Sequence, residues 1–182
     1  MAEHFTPCTQ LPDDLSHWWT QTAYGGVSPC IQGNGSAGRP FDGCTLPNCV
    51  GWSWGRFQEL QDEIDPRLPA IDAGLWYPAA EAAGMDVGQE PKLGAVACFG
   101  DGHVCNVEFI AEDGSYIECS ESDWSGPLFS YRTRYRADNW VWGTAANFQG
   151  FIYSNVEYTE DDRFKWWMAA KLIKRRRNYG IL

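Results

Sequence analysis

No apolar run in this 182-residue sequence approaches the roughly 18 residues needed to cross a bilayer, so an integral membrane protein is not expected. Positive charge is scarce: 14 Lys and Arg stand against 24 Asp and Glu, a formal net charge of −10. Most of such a surface repels a polyanion, so nucleic acid is not an expected partner. There is no CxxC pair, and the spacings of Cys44 to Cys49 and Cys98 to Cys105 suit no zinc knuckle. The amino end, MAEHFTPCTQ, has neither a basic n-region nor an apolar h-region. The chain is therefore expected to be made without a signal peptide and to stay at first in a cytoplasm. Histidine occurs only three times, as His4, His17 and His103, so each one can be weighed.

What is present is the material of a packed core. Hydrophobic residues make up 44% and aromatic residues 15%, which excludes global disorder. At roughly 150 residues per domain the chain corresponds to about one domain, expected over 1–159. Seven cysteines, an odd number without an export signal, argue against a disulfide framework. Most are expected to act as small buried hydrophobes. Charge is uneven: residues 160–182 hold seven basic and three acidic residues, the reverse of the acidic body.

The chain divides by texture. Residues 13–22 (DDLSHWWTQT) read as a short helix, and 24–48 as a long Gly-, Pro- and Ser-rich loop. That loop contains a literal GxGxxG at Gly33, Gly35 and Gly38, but no strand precedes it and no helix follows, so a dinucleotide site is excluded. Residues 49–64 form the strongest helix pattern. Val50, Trp54, Phe57, Leu60 and Ile64 make one apolar stripe, with Asn48 as N-cap and Pro66 beyond its end. A second short helix is expected over 75–83. After Pro91 the segments 94–99, 103–111, 115–120 and 130–153 read as strands broken by Gly and Asp. Helices first and antiparallel strands after imply an α+β domain.

Cys49 stands at the start of the main helix, where free N–H groups and the positive end of the helix dipole favour a thiolate. Position alone favours a buried cysteine that merely starts a helix. His103 opens a strand whose alternate residues are Cys105, Val107 and Phe109, so it is expected on the core face, where the helix should pack. A Cys at a helix start facing a His on a strand is the arrangement of a thiol hydrolase. A three-residue hairpin loop, Glu112-Asp113-Gly114, pairs Ala111 with Ser115, Cys105 with Glu121 and His103 with Asp123. Both acids then share the His103 face. A two-residue loop would turn them away. The plainer reading of Glu121 and Asp123 is an exposed acidic loop end.

Four segments carry a resemblance: LPNCVGWSWGRFQE around Cys49, PKLGAVACF…GHVCNVEF around His103, ECSESDW around Glu121, and NFQGFIY near the end. In this order, over roughly residues 24–154, the sequence resembles the CHAP domain. That is the cysteine- and histidine-dependent amidohydrolase/peptidase of phage endolysins and bacterial cell-wall hydrolases. The resemblance implies a papain-like fold of the NlpC/P60-CHAP type, with a helix-borne Cys facing an antiparallel sheet, and cleavage of an amide bond in bacterial peptidoglycan. It implies Cys49 as nucleophile, His103 as general base, Glu121 as the third residue, and Asp123 as an acid that helps position the histidine. Some members bind calcium through several acids just before the Cys. Here only Asp42 occurs between residues 39 and 48, so neither calcium nor another cofactor is expected. No residue matches a papain-type glutamine upstream of the Cys, which leaves the second oxyanion donor unassigned.

Ten tryptophans remain to be placed. Trp52, Trp54, Trp140 and Trp142 lie near the expected site, as core packing or as walls of a substrate groove. Residues 160–182 read as an amphipathic helix with Asp161 and Asp162 in its first turn and Lys174, Arg175, Arg176 and Arg177 at its end. It is expected to pack on the body, with docking to anionic wall polymer or a membrane surface as the functional alternative. The leading expectation is an endolysin-like peptidoglycan hydrolase, phage or prophage in origin, acting on the wall after release. The alternatives are a silent CHAP-fold structural protein of a virion or wall, and an amidase for a small soluble amide.

Overall fold

The first turn of the main helix is organised by Asn48. Its backbone is extended (φ −164°), and its side-chain oxygen accepts hydrogen bonds from the N–H groups of Val50 at 2.8 Å and Gly51 at 3.3 Å. Helix α1, Cys49–Gln61, follows and is closed by Asp62 in the left-handed region (φ 51°) ahead of Pro66. Val50, Trp54, Phe57 and Leu60 are buried, as the apolar period predicts. Ile64 lies past the helix end and is exposed. The chain is described by a computed structural model over residues 5–12, 40–41, 44–45, 47–69, 71–124, 126–143, 145–156 and 158. The expected helices at 13–22 and 160–182, the GxGxxG segment, His4, His17 and Asp42 lie outside the described residues. Among the described residues no helix is long and apolar enough to cross a membrane.

A turn of 3₁₀-helix, Ala73–Leu75, leads into helix α2, Trp76–Ala82, inside the expected 75–83. The strands are β1 (Pro40–Phe41), β2 (Cys44–Thr45), β3 (Val87–Gly88), β4 (Val96–Phe99), β5 (His103–Ile110), β6 (Tyr116–Glu121), β7 (Ser130–Tyr135) and β8 (Phe148–Ile152). β1 and β2 form a small ribbon. The other six make an antiparallel sheet in the order β3-β8-β4-β5-β6-β7. The architecture is the expected α+β one, helices on an antiparallel sheet.

Both faces of the sheet are covered. Val50, Trp54 and Phe57 of α1 and Trp76 and Ala80 of α2 pack on Val96, Cys98, Val104 and Ile152. On the other face Phe99, Cys105, Val107, Ile117, Cys119 and Phe151 pack with Trp140 and Ala145. This corrects one expectation: α1 packs on the Val104 side of β5, not on the side of Cys105 and Val107 that alternation shares with His103. Because β5 is apolar on both faces, alternation alone could not say which face meets the helix.

The β5–β6 hairpin also differs from its expected form. Ala111 N–H donates to Tyr116 O at 2.9 Å, so the connection is Glu112 to Ser115, one residue longer than expected. The pairs Ile110↔Ile117 and Phe109↔Glu118 continue that register, and a bulge at Glu108 then shifts it to Val107↔Cys119 and Asn106↔Ser120. The two offsets cancel. Beyond the bulge the register is the expected one, and it carries Glu121 to the His103 face. Glu108 itself is buried and turned to the helix. It accepts from Arg56 Nε and Nη2, both at 2.9 Å, from Ser120 Oγ at 2.6 Å and from Cys8 N–H at 2.9 Å. Arg56 also donates to Thr6 O at 2.6 Å, so this buried pair ties residues 5–12 to α1 and the sheet.

Candidate active site

Cys49 is the first residue of α1 and lies at the junction of the helix with the end of the sheet. Its Sγ is 3.9 Å from Gly102 O and lies beside the imidazole of His103, close enough to act on its proton. His103 is the first residue of β5, directly after the Gly102 turn (φ 96°), and its ring rounds the strand end to reach the helix start. On its other side, Nε2 and Glu121 Oε2 are 2.6 Å apart. The imidazole is thus held between a thiol and a carboxylate.

Glu121 ends β6 with no exposed surface. It accepts from Arg132 Nη1 at 2.5 Å and from Arg134 Nη2 at 2.6 Å, besides its bond to His103. Arg134 is itself buried, donates to Trp140 O at 3.2 Å and lies 4.7 Å over the ring of Phe99. Burial pushes the Glu121 carboxyl upward, but the hydrogen bond with His103 and the charges of Arg134, His103 and Arg132 outweigh it and hold the group at about 2. Burial pulls His103 down, but the interaction with Cys49, the hydrogen bond to Glu121 and the nearby thiols outweigh that and raise it to about 10. At neutral pH the centre is an imidazolium beside a carboxylate.

Asp123 lies just past β6 and borders the same cavity, but its carboxylate is taken by Arg132, Nη1 at 3.1 Å and Nη2 at 2.5 Å. Of the two acids on the histidine face, the one diagonal to His103 reaches it, and the one opposite binds Arg132 instead. A tight turn explains this: Gly126 N–H donates to Asp123 O at 3.0 Å and Asp123 N–H to Pro127 O at 3.2 Å, which places the short side chain beside β7.

Arg132 and Arg134 were not singled out in the sequence. Their signal was the SYRTRY strand, where two arginines two apart share one face. The register Cys119↔Arg132 and Ile117↔Arg134 sets that face on the Glu121 side. His103, Cys105 and Glu121 offer ligand atoms within 4.8 Å of one another. The two guanidinium groups on Glu121 oppose a divalent cation there.

The site opens into a cavity of about 330 Å³ bordered by Cys49, His103, Asp123, Trp124, Arg132 and Trp142. Trp52, Trp54 and Trp140 are core residues. Trp142 and Trp124 are 46% and 41% exposed at the cavity, and Arg132 lies 4.0 Å over the Trp142 ring. The five cysteines whose side chains are described, Cys8, Cys49, Cys98, Cys105 and Cys119, are free thiols.

A helix-borne thiol, a strand-borne histidine and a buried carboxylate thus meet at one end of the sheet, the arrangement of a thiol hydrolase. Residues 39–123, just under half of the chain, match the model of the CHAP domain, and that segment holds Cys49, His103, Glu121 and Asp123. Among solved structures the chain is similar to an N-acetylmuramoyl-L-alanine amidase from Staphylococcus aureus, at 23% identity and a TM-score of 0.47, over 65% of this chain. The match spans 36% of that structure's chain. The comparison with curated proteins finds no match.

Proposed function

We propose that this protein is a thiol-dependent hydrolase that cuts an amide bond of bacterial peptidoglycan, with Cys49 as nucleophile, His103 as acid and base, and Glu121 as the group that orients the histidine. The observation that supports it most is the placement of the His103 ring between the Cys49 thiol and the Glu121 carboxylate, at the wall of an open cavity.

In this reading the Cys49 proton already rests on the His103 imidazolium, and the thiolate sulfur attacks the amide carbonyl carbon. The carbonyl π pair moves to oxygen and gives a tetrahedral oxyanion. His103 then gives its proton to the nitrogen as the C–N bond breaks, and the amine leaves. Water then attacks the thioester carbon as its proton passes to His103, the C–S bond breaks, the acyl group leaves as the carboxylic acid, and the thiolate–imidazolium pair is restored. Glu121 holds the ring and stabilises its charge in each step. Arg132 and Arg134 keep Glu121 ionised and fixed. Asp123 acts on Arg132, not on the histidine.

The reading extends to an endolysin-like role, on the wall after release from the cytoplasm or from a phage particle. Purified sacculi incubated with wild type and with Cys49→Ser give the test. New L-alanine amino termini identify an N-acetylmuramoyl-L-alanine amidase, and new termini on cross-bridge residues identify an endopeptidase. If wild type and Cys49→Ser release the same products at the same rate, the reading fails.

A further inference from the structure

The start of α1 leaves two hydrogen-bond donors beside the nucleophile. Asn48 N–H donates to Ser122 Oγ at 3.1 Å, and the N–H groups of Val50 and Gly51 are taken by Asn48 Oδ1. Cys49 N–H, at the first helical position, has no partner among the described residues. Asn48 is 1% exposed, yet its Nδ2 also has no partner among them. Since Oδ1 is turned to the helix N–H groups, the trigonal amide turns Nδ2 away from them. Asn48 and Cys49 together border a second hollow of about 450 Å³ with Gly102 and Trp124, continuous in its lining with the cavity at His103.

A buried, orphaned amide donor is rare in a folded chain, because nothing replaces the water bonds it lost. Here it sits one residue from the sulfur and beside the backbone donor of that same residue. We infer that Asn48 Nδ2 and Cys49 N–H together form the oxyanion hole, so that Asn48 is a catalytic residue as well as the helix cap. This deepens the thiol-hydrolase reading and rests on it. One end of the side chain fixes the helix that carries the thiol. The other end meets the oxygen once the attacked carbonyl has become tetrahedral and its π pair lies on oxygen. Donors aimed at that position, and not at the flat carbonyl, lower the barrier without tightening substrate binding.

The test separates the two ends. Asn48→Ser keeps an oxygen for Val50 and Gly51 but has no amide N–H, and Asn48→Gly, tolerated at an N-cap, serves if the serine variant folds poorly. Cys49 is acylated with 4-nitrophenyl acetate, which passes through an oxyanion, and alkylated with iodoacetamide, which does not. The acylation rate is expected to fall about tenfold or more, with alkylation and the thermal midpoint little changed. Acylation that stays at the wild-type rate overturns the assignment. So does a parallel fall of acylation and alkylation, since Asn48 would then act through the thiol. Sacculus hydrolysis by the wild type is followed separately: its absence overturns the peptidoglycan reading, while the ratio of acylation to alkylation still decides Asn48.

Discussion

Arg134 Nη2 and Glu121 Oε2 lie 2.6 Å apart, and neither side chain is exposed. This buried pair stands directly behind the histidine, so the charge that orients the ring is itself neutralised in the core. Removing one partner of such a pair leaves an uncompensated charge, at a cost of about 3–5 kcal/mol. Arg134→Met is therefore expected to destabilise strongly in urea denaturation. Arg132→Met, at the more open end of the cluster, is expected to cost clearly less. Equal costs would mean that the two arginines do not differ in burial as described.

Cys49→Ala and His103→Ala are each expected to remove essentially all hydrolysis of sacculi while circular dichroism stays native. Glu121→Gln keeps the shape but not the charge and is expected to lose about 10²-fold or more in kcat. Asp123→Asn is expected to lose much less, because its carboxylate reaches Arg132 and not the ring. A larger loss at Asp123 than at Glu121 would reverse the assignment of the histidine partner.

His103 titrates far from its ordinary 6.5, at about 10, because Cys49 and Glu121 hold the proton against the pull of burial. A raised folded-state value means that the protonated ring stabilises the fold. That stabilisation is complete below about pH 6.5 and is lost as pH rises through about 10. The gap in unfolding free energy between wild type and His103→Asn is thus expected to be widest below neutrality and to close toward pH 10. Glu121 works in the opposite sense. Its value of about 2 against an ordinary 4.5 gives stability that is present above pH 4.5 and is lost as pH falls through about 2. In Cys49→Ala the His103 ring loses one of its two partners, and its value, followed by NMR, is expected to fall.

Gly150 of β8 has φ 148°, and a Cβ there would stand 2.3 Å from Tyr77 Cε2 and 2.8 Å from Gly88 O. Gly150→Ala combines backbone strain with a clash between α2 and the sheet. It is expected to cost at least about 2 kcal/mol in thermal or urea unfolding. Gly84→Ala, at positive φ but with open space around it, isolates the strain alone and is expected to cost less.

The cap at Asn48, the period of Val50, Trp54, Phe57 and Leu60, and the strand pattern after Pro91 were legible in the sequence, because each is a local relation between neighbours. Cys49 at a helix start and His103 at a strand start were legible for the same reason, and their motifs pointed to the CHAP domain. The β5–β6 register near the site was legible only in its result. The longer turn and the bulge at Glu108 cancel, and the bulge depends on a buried partner, Arg56, fifty-two residues away. Which face of β5 meets α1 was not legible, since both faces are apolar. Nor was the choice between Glu121 and Asp123, which lie on one face and differ only in where β7 brings Arg132 and Arg134. Local periodicity and capping are written into the chain itself. The carboxylate that holds the histidine, and the charges that hold the carboxylate, depended on which strands became neighbours, and only packing the sheet decided that.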